Sequence, residues 1–148
     1  MMSESLLDTS YETELRLLIL LRAVDSAVTC EYLAALDTLT VNAKTLGVGD
    51  RNLNGDHRFA AGELEHRLSL VNDALKDLAL RGLVAYKPEK SGTYILTRDG
   101  RRTANAMTTA YSKQLAVMVQ TALKQLGDKS EECLFNFITE QAVVGGDL

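Results

Sequence analysis

Residues 62–107 read GELEHRLSLVNDALKDLALRGLVAYKPEKSGTYILTRDGRRTANAM, and the order of elements in this stretch decides the fold class. Leu64, Leu68, Val71, Leu75 and Leu78 are spaced by fours and threes, the interval that lines one face of a 3.6-residue helix. Gly82, after Arg81, supplies a left-handed stop for that helix. Leu83-Val84-Ala85-Tyr86 and Thr93-Tyr94-Ile95-Leu96 are β-favouring runs on either side of the breaker cluster Lys87-Pro88-Glu89-Lys90-Ser91-Gly92, which predicts a hairpin with a six-residue tip. Thr97 is placed to cap a further helix, with Asp99 in its first turn, where an acid suits the exposed amides. Long helix, two-stranded ribbon and helix make the second half of a winged helix-turn-helix.

The preceding residues supply the first half. Residues 1–10 are polar and expected to fray. A helix is expected from Tyr11, with Thr9 or Ser10 as its cap and Glu12 and Glu14 in the first turn. It continues through Leu15, Leu17, Leu18, Ile19, Leu20, Leu21 and Val24, apolar on more than one face, and so needs cover on two sides. One face builds the core and the other is expected to dock on a partner around Leu17 and Leu21. Asp25-Ser26 ends this helix, Val28-Thr29 reads as a short extended piece, and Thr29 caps a second helix over about Cys30 to Thr45. Between the two halves lie residues 46–61, far longer than the three or four residues that join the helices of a DNA-reading helix-turn-helix. Past the hairpin, Arg98 to Leu126 is expected to run as one long helix, Gly127-Asp128 to break it, and Ser130 to cap a last helix over 131–142. The expected fold is therefore mainly α with a small β-hairpin, a winged helix-turn-helix at 11–107 carrying the inserted loop 46–61, followed by additional C-terminal helices at 108–148.

Composition bounds the function. With 46% hydrophobic and 24% charged residues in 148, the chain has the balance of a globular protein with a real core. The longest apolar run, Leu17 to Leu21, is too short to cross a bilayer, and nothing resembles a signal peptide, so a cytoplasmic location is expected. Cys30 and Cys133 form no CxxC, and His57 and His66 do not cluster with them; neither a metal site nor a disulfide framework is expected. No GxSxG, phosphate loop or HExxH is present, so the chain reads as a non-enzyme without cofactor or small-molecule substrate. Asp50, Asp56, His57 and Glu63 are close in sequence, but polar loops collect such residues as turn-formers.

The net charge of −4 is unevenly spread: residues 1–37 carry −5 and residues 76–102 carry +4. On the long helix Glu63, Glu65, Asp73 and Asp77 face Arg67, Lys76 and Arg81, a poor balance for a helix pressed into a DNA groove. The hairpin is better placed. Lys87 and Lys90 at its tip, with Arg98, Arg101 and Arg102 just after it, are candidates for phosphate contacts, which position a protein without specifying sequence. An acidic partner surface would suit the same residues. Tyr86 and Tyr94 are candidates for an apolar protein contact on the hairpin.

Leu36-Asp37-x-Leu39, the loop through Asn52-Leu53-Asn54-Gly55-Asp56, Gly62-Glu63-Leu64-x-x-Arg67 and Leu75-x-x-Leu78-x-x-Arg81-Gly82-Leu83-Val84 resemble the middle component of bacterial ABC-three-component systems. Within that group the chain is similar to the small subunit of Lamassu-type anti-phage complexes. It departs from them where their loop often reads SLHP and this chain has Asn52-Leu53-Asn54-Gly55. The resemblance implies a non-catalytic adaptor joining an SMC-like ABC ATPase to a nuclease-type effector in an anti-phage or anti-plasmid complex that detects foreign DNA. A reading of a different class, drawn from the fold and the basic hairpin, is a dimeric winged-helix transcription regulator paired through the long helix from Arg98.

Overall fold

The computed structural model describes residues 10–42 and 63–126, which form α1 (Ser10–Val24), β1 (Val28–Thr29), α2 (Cys30–Val41), α3 (Glu63–Leu80), β2 (Val84–Lys87), β3 (Thr93–Leu96), α4 (Arg98–Asn105) and α5 (Ala110–Leu126). The inserted loop 46–61, the polar N-terminus and the helix expected over 131–142 lie outside the described residues. The fold is mainly helical with a small antiparallel sheet. That sheet has three strands in the order β1-β3-β2, not the two of a simple hairpin. Val28 and Thr29 pair with Tyr94 and Thr93, so the extended piece read between the first two helices closes the far edge of the ribbon. Two residues are too few to show an alternation, which is why sequence gave only a hint of pairing. The strand β2 runs to Lys87, one residue further than expected, and a single turn of 3₁₀ helix at Pro88–Lys90 shortens the tip.

Local chemistry sets most element ends as expected. Thr29 caps α2 by accepting a hydrogen bond from the Tyr32 N–H at 3.0 Å. Gly82 takes φ +78° beyond the end of α3, the left-handed conformation glycine adopts without a Cβ penalty. Asp25, at φ +57°, turns the chain after α1. Asn42 terminates α2 by turning back onto it: its backbone N–H and its side-chain amide both donate to the Thr38 carbonyl.

The expected single helix from Arg98 to Leu126 is instead two. The α4 helix stops at Asn105, where Arg22 of α1 donates to the Ala104 carbonyl at 3.0 Å and to the Asn105 side chain at 3.1 Å. The next helix starts afresh on Thr109, whose hydroxyl accepts from the Ser112 N–H at 3.1 Å. No proline or glycine marks this break, only a pair of threonines whose hydroxyls compete with helical hydrogen bonding.

The core is organised around α1. Leu17, Leu18, Leu20 and Leu21 are buried against Leu33 and Leu36 of α2, Val71, Leu75 and Leu78 of α3, Ala104 of α4 and Met118, Val119 and Ala122 of α5. The face of α3 predicted from its spacing is the one that packs inward; Leu64, Val71, Leu75 and Leu78 are buried and Leu68 is half-buried. One ionic group lies within this core. Arg16 Nε donates to Asp37 Oδ1 at 2.8 Å and Arg16 Nη2 to Asp37 Oδ2 at 3.2 Å, while Arg67 Nη1 lies 3.4 Å from the same Oδ2. A single carboxylate thus ties α1, α2 and α3 together.

A candidate docking groove and a basic hairpin

The structure separates the candidate residues into three environments. Leu17 and Leu21 are 0% and 1% exposed, so the face of α1 that carries them is spent on the core of this chain. Tyr94 is also packed into the core cluster, and its ring lies 5.0 Å from that of Tyr86, tilted by 49°. Tyr86 itself is exposed. Its cross-strand pairing with Tyr94 places both rings on the sheet face that also carries Val84 and Leu96. The two tyrosines therefore form one aromatic pair at the tip end of the core, and only its outer ring is open to another molecule.

The basic candidates divide as well. Arg101 is engaged by Asp25 at 2.7 Å and Arg102 by Asp99 at 3.6 Å, both across exposed ion pairs. Lys90 and Arg98 are exposed and Lys87 half-exposed, and none of the three has an ion-pair partner among the described residues. By contrast, Arg67 does not face outward from α3 at all; it is buried on Asp37. The outer face of α3 is Glu65, His66, Ser69, Asp73, Lys76 and Leu80. Without Arg67 that face sets two acids, Glu65 and Asp73, against the single base Lys76, a poor balance for a DNA groove.

A site not anticipated from sequence lies between α1 and the α4–α5 break. It is a groove of about 680 Å³. Leu15 and Ile19 of α1 form one wall, Met107, Tyr111 and Leu115 the other, and Thr108, Thr109 and Ser112 the rim. Several of its polar groups are engaged within the chain. Arg16, at the floor, is held by Asp37 and Thr13, and it hydrogen-bonds with the Tyr111 phenol. Burial holds that phenol above its ordinary range, against the opposing pull of the guanidinium. The Ser112 hydroxyl donates to the Thr109 carbonyl at 2.8 Å, and the Ser112 N–H donates to the Thr109 hydroxyl at 3.1 Å. The groove therefore offers mainly apolar surface, with Glu12 as a charged residue of its lining.

Its signal was present in the sequence. Leu15 and Ile19 are four apart and so share a face of α1 distinct from that of Leu17, Leu20 and Leu21; Tyr11, 63% exposed, extends the same face by one turn. The part of this face left open is that of exposed Tyr11 and half-buried Leu15, since Ile19 is 2% exposed and covered like Leu17 and Leu21. The other wall was hidden, because it exists only where α4 and α5 part company.

Among the described residues, no helix is long and apolar enough to cross a membrane, and no group of three His, Cys, Asp or Glu side chains could hold a metal ion. No curated relative and no solved structure matches the chain. Residues 6–146 match the family model of the ABC-three component (ABC-3C) system Middle Component 2. That match covers nearly the whole chain, including Leu36-Asp37 and Gly62 to Arg67, from which Asp37 and Arg67 meet in the ionic core. The chain belongs to the Middle Component 2 family of ABC-three component systems, and is by that membership one component of a multi-subunit assembly.

Proposed function

We propose that this protein is a non-catalytic adaptor that holds two other subunits of its system together, an SMC-like ABC ATPase and a nuclease-type effector, in an anti-phage or anti-plasmid complex akin to the Lamassu type. The observation that carries this reading is the apolar groove between α1 and the α4–α5 break, in a chain whose family is that of a middle component. Apolar surface of this kind suits protein docking, and a groove of this size takes about two or three large side chains from a neighbouring helix. The element order helix, strand, helix, helix, strand, strand, with sheet order β1-β3-β2, supports a winged helix as the scaffold, with β2, β3 and the turn between them as the wing. On this reading the outward face of α3 is too acidic to read bases, and the wing makes at most a backbone contact with DNA through Lys87, Lys90 and Arg98 inside the assembled complex.

Co-expression with the genes encoded beside it tests the proposal. The wild-type chain is expected to co-purify with a large ATPase; a monomer that ignores that ATPase would sink the adaptor reading. Leu15→Glu places a charge in the groove from a half-buried position and should cut recovery of the partner more than about tenfold, as loss of an interface anchor does, with helicity by circular dichroism unchanged. For the regulator reading, the helix available for pairing is Ala110–Leu126, since the long helix from Arg98 is interrupted at residues 106–109.

A further inference from the structure

The register of the hairpin decides which backbone groups its outer edge presents. In an antiparallel pair, residues that exchange both backbone hydrogen bonds alternate with residues whose N–H and C=O point away from the partner strand. The Thr97 N–H donates to the Leu83 carbonyl at 3.2 Å, and the register continues with Val84 opposite Leu96, Ala85 opposite Ile95, Tyr86 opposite Tyr94 and Lys87 opposite Thr93. The bonded pairs are therefore Ala85 with Ile95 and Lys87 with Thr93. Val84 and Tyr86 turn their N–H and C=O outward, and β2 is the edge of the sheet among the described residues. At Val84 that edge is covered, the residue being 3% exposed; at Tyr86 it is open, at 52%. A short pairing is enough in this sheet, since β1 joins β3 through Val28 and Thr29 alone.

We propose that an extended, acidic segment of a partner subunit adds to β2 at Tyr86 as a further strand. Lys87 and Lys90 flank this position, one half-exposed and the other exposed, without ion-pair partners among the described residues. Lysines on an edge strand deter pairing with neutral strands and with further copies of the same chain. A second copy would bring two hairpins from the +4 stretch 76–102 side by side, whereas a segment carrying carboxylates is drawn to the same charge. Duplex DNA supplies the negative charge but not the pairing. A phosphate accepts from the Tyr86 N–H and has nothing to donate to its C=O, while a peptide backbone does both. The inference rests on the adaptor reading in one respect, that a second partner exists besides the one in the groove.

Hydrogen–deuterium exchange resolved to single amides tests this, on the free chain and on the complex recovered by co-expression with the genes encoded beside it. In the free chain the Tyr86 amide should exchange faster than those of Ala85 and Lys87; in the complex it should slow by about tenfold or more. Tyr86→Pro removes the outward N–H and spares the donors that the β2–β3 ladder uses. It should cut recovery of one subunit by about tenfold relative to Tyr86→Thr, which also lacks the ring but keeps the N–H. The ATPase should stay bound in both, and Leu15→Glu should show the converse, so that the edge and the groove fail separately. Lys87→Glu should release the same subunit as Tyr86→Pro. A Tyr86 amide that exchanges alike in the free chain and the complex would overturn the proposal, and that readout stands even if the proline variant unfolds. Protection of the amide by duplex DNA alone, or a folded Tyr86→Pro that binds as well as Tyr86→Thr, would overturn it too.

Discussion

Asp37 shows what a single side chain does in this fold. It is fully buried in the middle of Leu-Ala-Ala-Leu-Asp-Thr-Leu, where composition alone would call for another aliphatic residue, and it answers Arg16 of α1 and Arg67 of α3. Removing one member of such a group leaves buried charge uncompensated, so Asp37→Ala should cost about 3–5 kcal/mol in chemical denaturation. Replacing Arg16, Asp37 and Arg67 together by aliphatic residues of similar volume should cost much less, because nothing charged is then left inside. The pairing was only half legible. Arg16 interrupts an apolar run and Arg67 sits four residues ahead of Val71 on the inward side of α3, which marks each as unusual, but a sequence does not say which of several carboxylates a buried arginine will meet. For the same reason Leu17 and Leu21 could be seen as apolar and not as inaccessible. Burial is decided by what the other four helices cover.

At the level of elements, the hairpin and the helix after it are locked by Thr97. Its hydroxyl donates to the Gly82 carbonyl at 2.7 Å and accepts the Gly100 N–H at 3.0 Å, while its own N–H donates to the Leu83 carbonyl at 3.2 Å. One residue thereby caps α4 and fastens it to the chain that leaves α3. Thr97→Ala should lower stability by about 1–2 kcal/mol through loss of the cap. Gly100→Ala should be at least as damaging, near the about 1–3 kcal/mol of an overpacked core, because an added Cβ would overlap the Leu83 carbonyl and press on Leu96. Both are read by the shift in the denaturation midpoint. Caps and stops of this kind were legible because they are local: as caps, Thr29 and Thr97 each accept an N–H three residues on, and Gly82 acts through its own φ, whereas the tie from Thr97 back to Gly82 spans fifteen residues and was not legible. The break between α4 and α5 was not, since Arg22, more than eighty residues earlier in the chain, reaches across to the Ala104 carbonyl and the Asn105 side chain at the end of α4. The groove inherits that illegibility, one of its walls being made by the break.

Across the whole molecule, charge is sorted by place. Residues 1–37 carry −5, and residues 76–102 carry +4, with Lys87, Lys90 and Arg98 left without ion-pair partners among the described residues. If the wing grips a nucleic-acid backbone, reversing all three to glutamate should weaken non-specific binding to duplex DNA and reduce its salt slope by about 3, one unit per lost phosphate contact. Co-purification with the ATPase should survive that change, because the groove that we assign to docking is apolar. Unchanged DNA affinity in the triple variant would leave the wing without a phosphate-binding role. The central position of α1 also governs how the chain comes to be folded. It packs against every other described helix and against β3, and its apolar faces are covered by α3 from one side and by α4 and α5 from another. The helix made early in synthesis therefore stays partly uncovered until α5 has emerged, so α1 spends translation as a sticky segment awaiting its own C-terminal half. A chain cut short before α5 would keep that surface, and is the form in which this protein is most prone to aggregate.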